Sequence, residues 1–232
     1  LVVIAGKVAG LATSRGTISA PQVIVTGGIW TAHLAATAGV SVPVMPVALS
    51  QCETEAVEPF IGPTLRCFPF GARQRPNGQI SMSAGMNTIV DHYGSLASLR
   101  NAALWSRRYV LNRKAIRLRV DWDRLLRELR GRSIGGPEHV RLQERAANRR
   151  LMDASLAAAA RMIPRLADVR LARCWAGVID ISPDGLPIVG WLDDRTLAAT
   201  GHGRNGFLLA AWTAQRISDL LKGDAKEEVA LC

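Results

Sequence analysis

A glycine-rich turn close to the end of the chain limits what the whole can fold into. Gly201-His202-Gly203-Arg204-Asn205-Gly206 has the spacing G-x-G-x-x-G, and only 26 residues follow Gly206. The apolar run Thr196–Thr200 before it reads as a strand, and a helical pattern from Asn205 to Leu221 follows. Backbone N–H groups at such a helix start have no intrahelical acceptor, so they and the helix dipole favour an anionic or electron-rich ligand. A turn that opens a dinucleotide-binding domain is followed by another strand, with an acidic residue about 20 positions on. The short remainder has no room for that. The turn therefore closes an α/β ligand domain, unless it is a tight turn serving chain geometry alone.

The rest of the chain reads as mixed α/β. Lys7–Thr13, Thr17–Ala20 and Val23–Thr26 are strand candidates, the last running into Gly27-Gly28 and a short helix from Trp30 to about Ala38. Gly39 is placed to cap that helix in the left-handed region. Val44–Glu53, Leu65–Phe70 and Gln79–Met86 are further strands, with Pro76-Asn77-Gly78 as a turn. Residues 95–150 read as helical and basic: 121–129 has helical spacing, broken at 133–137. An Ala-rich helix follows over 151–163. Arg170–Val178 and Leu186–Val189 flank Pro183-Asp184-Gly185, whose turn chemistry predicts a hairpin. In the last helix Ala210, Ala214, Ile217 and Leu221 share one face, and Gly223 caps it.

At 48% hydrophobic and 21% charged, the 232 residues can bury a real core and are not a disordered composition. No apolar run reaches about 18 residues, so no transmembrane helix is expected. The opening Leu1-Val2-Val3-Ile4-Ala5 has neither an initiator Met nor a basic leader, and it reads as a strand inside a fold, as in a fragment or processed subunit. Cys52, Cys67, Cys174 and Cys232 are dispersed, as are the four histidines, and no zinc spacing is present. The net charge of +10 is confined to residues 100–150, which hold fifteen Lys/Arg and five Asp/Glu. A solvated helical face, docking to a partner subunit or anionic membrane surface, and nucleic-acid binding are the three readings. The last is weakest because no nucleic-acid motif accompanies the charge. For docking, Trp105, Tyr109 and Trp122 would sit among the basic residues.

Three stretches together resemble the D-amino-acid-oxidase-like family of FAD-dependent oxidoreductases, which includes glycine oxidase, sarcosine oxidase and amino-acid or opine dehydrogenases. They are Lys7–Gly10 through Gly27–Trp30 to Val40–Pro46; Trp175-Ala176-Gly177 with Ser182–Pro187; and Gly201–Ala210. The resemblance implies the C-terminal part of a FAD-binding Rossmann-like domain (1–43 and 191–232) without its N-terminal βαβ unit. It also implies a mixed-sheet substrate domain (44–190) carrying a basic helical insert at about 95–163. It implies FAD contacts at Val8, Gly27, Gly28, Trp30, Gly201, His202, Gly203, Arg204, Asn205, Gly206, Phe207 and Leu208. In glycine oxidase an arginine pairs with the substrate carboxylate at the position of Ile179, which cannot do so, leaving Arg204 as the substrate-side cation. A surface salt bridge is the competing role for Arg204.

The activity implied is oxidation of the C–N bond of glycine, a D-amino acid, sarcosine or an opine, with a hydrogen-cyanide synthase subunit acting on glycine as a specific version. Val178-Ile179-Asp180 is closer to the β subunits of heteromeric enzymes, which implies a partner chain supplying electron transfer or the other FAD half. The implied location is cytoplasmic, with peripheral contact on the inner membrane face as a variant. A flavin-free binding protein is the non-enzymatic alternative.

Overall fold

The computed structural model describes residues 1–85, 90–94, 101–112, 116–120, 122, 126 and 146–223. Its largest element is a seven-stranded sheet built on β5 (Met45–Thr54). One edge of β5 pairs antiparallel along its length with β11 (Leu171–Ile181). The other edge is shared: β9 (Val90–Gly94) pairs with its start and β8 (Ile80–Ala84) with its end. Beyond β8 lie β7 (Phe70–Gln74) and β6 (Leu65–Arg66), and beyond β9 lies β10 (Ile116–Val120), parallel to it.

Strand alternation gives this sheet two different faces. On one, Cys52, Phe70, Ala72, Ile80, Met82 and Ala84 are buried under helix α3 (Arg149–Met162), which contributes Met152, Leu156 and Ala159. Asn148 caps α3 by accepting from the Leu151 N–H at 3.1 Å. At one end of the opposite face Met45, Val47 and Ile181 pack against Trp105 of α2 (Ala102–Asn112).

A smaller sheet holds the glycine turns. Its order is β12 (Ile188–Trp191), β13 (Thr196–Thr200), β4 (Val23–Val25), with β4 parallel to β13. Helix α4 (Gly206–Lys222) packs on it through Ile217 and Leu220 against Val189 and Leu197. Helix α1 (Thr31–Ala36) follows β4. The third sheet is an antiparallel meander of β1 (Val2–Ile4), β2 (Lys7–Thr13) and β3 (Gly16–Ser19).

Four expectations are corrected. The predicted hairpin does not form: β11 and β12 lie in different sheets, and the turn at Pro183–Gly185 carries the chain between them. The turn chemistry is still present, since Asp184 Oδ1 accepts from the Leu186 N–H at 2.9 Å. Leu65–Phe70 is two strands: Pro69 cannot donate to a ladder, and the Cys67 N–H closes a tight turn on the Phe70 carbonyl at 2.8 Å. Residues 95–150 are not purely helical, because β10 lies among them; the arginines of Ile116-Arg117-Leu118-Arg119-Val120 hide a period of two. The buried positions of α4 are Thr213 and Leu220, while Ala210, Ala214 and Leu221 are exposed. The expected helical run 121–129 and its break at 133–137 lie outside the described residues, apart from Trp122 and Leu126.

Candidate functional site

Gly201 (φ +76°) and Gly203 (φ +57°) take the left-handed conformations that favour glycine, which lets β13 turn through the short 3-10 turn Gly203–Asn205 into α4. The turn is held from beneath by β11. Asp180, 9% exposed, accepts from the Thr200 hydroxyl at 2.6 Å and from the Gly201 N–H at 2.5 Å. Ile181 forms an isolated antiparallel bridge with His202. His202 Nε2 lies 2.8 Å from the Thr213 hydroxyl, which fastens the turn to its own helix. No side chain caps the start of α4, no acidic residue occupies its first turn, and Phe207 and Leu208 are 100% and 80% exposed.

The second glycine turn lies beside the first. The Thr200 hydroxyl is 3.3 Å from the Gly28 carbonyl, so one side chain touches both turns. Gly28 has φ +54°, and a side chain there would meet nothing within 4 Å, so a surface-facing space adjoins it. Immediately afterwards Trp30 Nε1 and Thr31 Oγ1 are buried without a hydrogen-bond partner. Such groups normally find an acceptor. Val8 is buried in β2, and its carbonyl accepts from Arg195 Nη1 at 3.3 Å.

A cavity of about 300 Å³ opens on the uncovered part of the large sheet's second face. Gln51, Arg66, Gly71, Arg73 and Ser83 line it, and Arg204 reaches it from the glycine turn. The ladder explains the set: Arg66 pairs with Gly71, Gly71 with Ser83 and Ser83 with Gln51, so all project to one side. Arg66, Arg73 and Arg204 make no ion pair among the described residues. At the far end of the same face Glu53, 2% exposed, binds Arg173 Nε at 2.7 Å and Arg75 Nη2 at 3.0 Å. The Arg173 hydrogen bond holds its carboxyl below the ordinary carboxylate range, against the opposing effect of burial.

The family profile described as "DAO: FAD dependent oxidoreductase" matches residues 1–220. The chain belongs to this FAD-dependent oxidoreductase family. Glycine oxidase of Pseudomonas aeruginosa is 26% identical over 219 residues, covering 94% of this chain but 46% of the relative. The hydrogen cyanide synthase subunit HcnC of Pseudomonas protegens is 45% identical over 69 residues, which is 29% of this chain and 16% of that one. L-amino acid deaminase from Proteus myxofaciens, solved with anthranilate, superposes with a TM-score of 0.80 at 17% identity, over 98% of this chain and 52% of its own. That likeness is one of fold. The chain spans about half the length of the curated relatives that match it end to end.

FAD is the cofactor of this family, and the residues present fit part of it. Two adjacent glycine turns, an uncapped helix start and two orphaned buried donors offer what a large anionic cofactor needs. Gly27, Gly28, Trp30 and Gly201–Leu208 gather around these turns. Val8 lies in the meander strand β2, its carbonyl bound by Arg195. Sequence reasoning missed Arg66, Arg73 and Gln51. The alternation in Ile80-Ser81-Met82-Ser83-Ala84 and Phe70-Gly71-Ala72-Arg73 was the available signal, because it sets small and cationic residues opposite the apolar ones. Trp105, expected at a docking surface, is 1% exposed in the core, and the hydroxyl of half-buried Tyr109 donates to Met45 Sδ at 3.4 Å. Trp122 is 66% exposed. No helix among the described residues is long and apolar enough to cross a membrane.

Proposed function

We propose that this chain forms the substrate side and the flavin-edge turn of an enzyme that oxidises the C–N bond of an amino acid or secondary amine. The observation that carries the reading is Arg204: its backbone belongs to the glycine turn at the helix start, while its side chain reaches the arginine-lined cavity. One residue thereby links the place suited to a flavin edge with the place suited to a carboxylate. Residues 1–43 and 191–232 serve the cofactor, and 44–190 serve the substrate. The remaining cofactor contacts come from another polypeptide segment, in the same gene product or in a partner subunit, and the basic stretch 100–150 is the candidate surface for such a partner.

Bound FAD supplies the hydride acceptor. The protein's own work is orientation. Arg204 pairs with the substrate carboxylate by charge-assisted hydrogen bonds. Asp180 fixes the turn from which Arg204 projects. The uncapped N–H groups at the start of α4 would supply positive potential favouring the negative charge of a reduced flavin ring. No general acid or base is required of this chain, because orientation and electrostatics are the protein's share of flavin chemistry.

The test is made on the complete enzyme, co-expressed with any partner. It should be yellow, and its flavin absorbance should bleach anaerobically on addition of an amino acid or amine. Arg204→Ala should raise KM at least tenfold with flavin content retained; unchanged KM would refute the assignment. Protein that stays colourless in every co-expression would instead support a flavin-free binding protein. Glycine is included among the substrates because of the match to glycine oxidase.

A further inference from the structure

We propose that the cavity recognises a substrate with two carboxylates, a dicarboxylic amino or imino acid, and this rests on the amine-oxidising reading above. A single substrate carboxylate is matched by a single guanidinium, which binds it bidentately. Arg204 alone would suffice for glycine or sarcosine. The cavity has two more arginines, Arg66 and Arg73, brought in from neighbouring strands β6 and β7. Among the described residues none of the three makes an ion pair and no acidic side chain lines the cavity.

Glu53, a carboxylate on the same sheet face, is already committed. Oε2 takes Arg173 at 2.7 Å, and Oε1 takes Arg75 at 3.0 Å and the Ser81 hydroxyl at 3.3 Å. Two kinds of arginine thus meet at one sheet face: two that share a resident carboxylate, and three, Arg204 from the glycine turn among them, that border an open space without one among the described residues. Guanidiniums drawn together without a counter-charge repel one another, and an anion entering between them relieves that repulsion.

Shape agrees with charge. The floor between the arginines is kept low by Gly71 and Ser83; a Cβ on Gly71 would come within 2.8 Å of Ser83 Oγ. The resulting volume, about 300 Å³, reaches the lower end of small-molecule sites, about 300–1,000 Å³. Arg204, next to the flavin-edge turn, takes the carboxylate beside the reacting C–N bond. Arg66 and Arg73 take the distal one, with Gln51 and Ser83 as neutral hydrogen-bonding groups between.

The experiment uses the flavin-bound complete enzyme and two readouts. In the first, the unreactive acids glutarate and butyrate are titrated by flavin difference spectrum and calorimetry; they differ by one terminal carboxylate. Glutarate should bind at least tenfold more tightly, with the ratio falling as salt rises, and Arg66→Gln or Arg73→Gln should each reduce the ratio. In the second, flavin reduction is compared for iminodiacetate against sarcosine and for both enantiomers of glutamate against glutamine. The dicarboxylates should show the lower KM by a similar factor. A glutarate-to-butyrate ratio near one overturns the inference, and if amino acids still bleach the flavin the oxidase reading survives it. A high ratio with no bleaching by any amine supports the dicarboxylate site and sinks the oxidase reading. Neither arginine is held by another side chain, so loss of folding is not the expected fate of either variant, and the two report independently.

Discussion

The two faces of the large sheet use the same strands for opposite ends. On one, Phe70, Ile80, Met82 and Cys52 are sealed under α3. On the other, the alternate residues Gly71, Arg73, Ser81 and Ser83 leave a polar hollow. On the proposed reading, stability and recognition are separated by one residue in register, and a one-residue slip would exchange the two faces. Substitution at neighbouring positions should expose the division. Phe70→Ala should have the largest effect, a loss of about 3–5 kcal/mol from truncating a fully buried aromatic side chain. The measurement is the denaturant midpoint of the complete protein; a loss below about 1 kcal/mol would mean that α3 does not seal this face.

Asp180 ties the large sheet to the end of the small one, and its removal is the next largest perturbation. It accepts from the Thr200 hydroxyl and the Gly201 N–H, so Asp180→Ala leaves two donors without their partner. A cost of about 1–3 kcal/mol is expected, the penalty for one buried unsatisfied group. Asp180 touches neither cavity nor cofactor in this reading and is a positioning residue. The distinguishing readout is the flavin spectrum: a shifted band or weaker FAD retention should accompany the variant, with partial rescue in Asp180→Asn. A variant with lower stability and an unaltered flavin spectrum would reduce Asp180 to a structural role.

The polar face is itself divided, and pH separates its parts. Glu53 is held below its ordinary value of 4.5, first by the Arg173 hydrogen bond. A carboxyl depressed in the folded state adds stability that is present above the unfolded value and lost as pH falls through the folded one. Acid should therefore weaken the protein below about pH 4.5, and Glu53→Gln should flatten that part of the profile while being less stable at pH 7. Urea midpoints measured from pH 7 to pH 3 test this; parallel curves for the two proteins would show that the network contributes nothing through ionisation.

Local signals in the sequence were legible where one residue decides them. Gly39 and Gly223 adopt the left-handed conformation expected after their helices, and β13 occupies the expected Thr196–Thr200. What needed pairing information was hidden. Turn chemistry at Pro183–Gly185 specified a reversal but not which sheet the next strand would join. Arg66 and Arg73 are seven residues apart, and only the ladder from β6 to β5 brings them to the same hollow as Gln51 and Arg204. Cys52 and Cys174 looked dispersed, yet they are register partners; burial and this neighbour push the Cys52 thiol up to about 12.

The smallest expected effect is the most informative about the comparison. Arg73 is exposed, forms no ion pair among the described residues, and projects from the face opposite Phe70 on the same strand. Arg73→Gln should change stability by no more than about 0.5 kcal/mol, as surface substitutions away from buried networks do. The sign should be slightly favourable, because the change removes one of three cations that lack a resident counter-charge, and high salt should erase the gain by screening. A loss of more than about 1 kcal/mol would mean that Arg73 holds the sheet together. The hollow would then be a by-product of packing, and the separation of recognition from stability across this strand would fail.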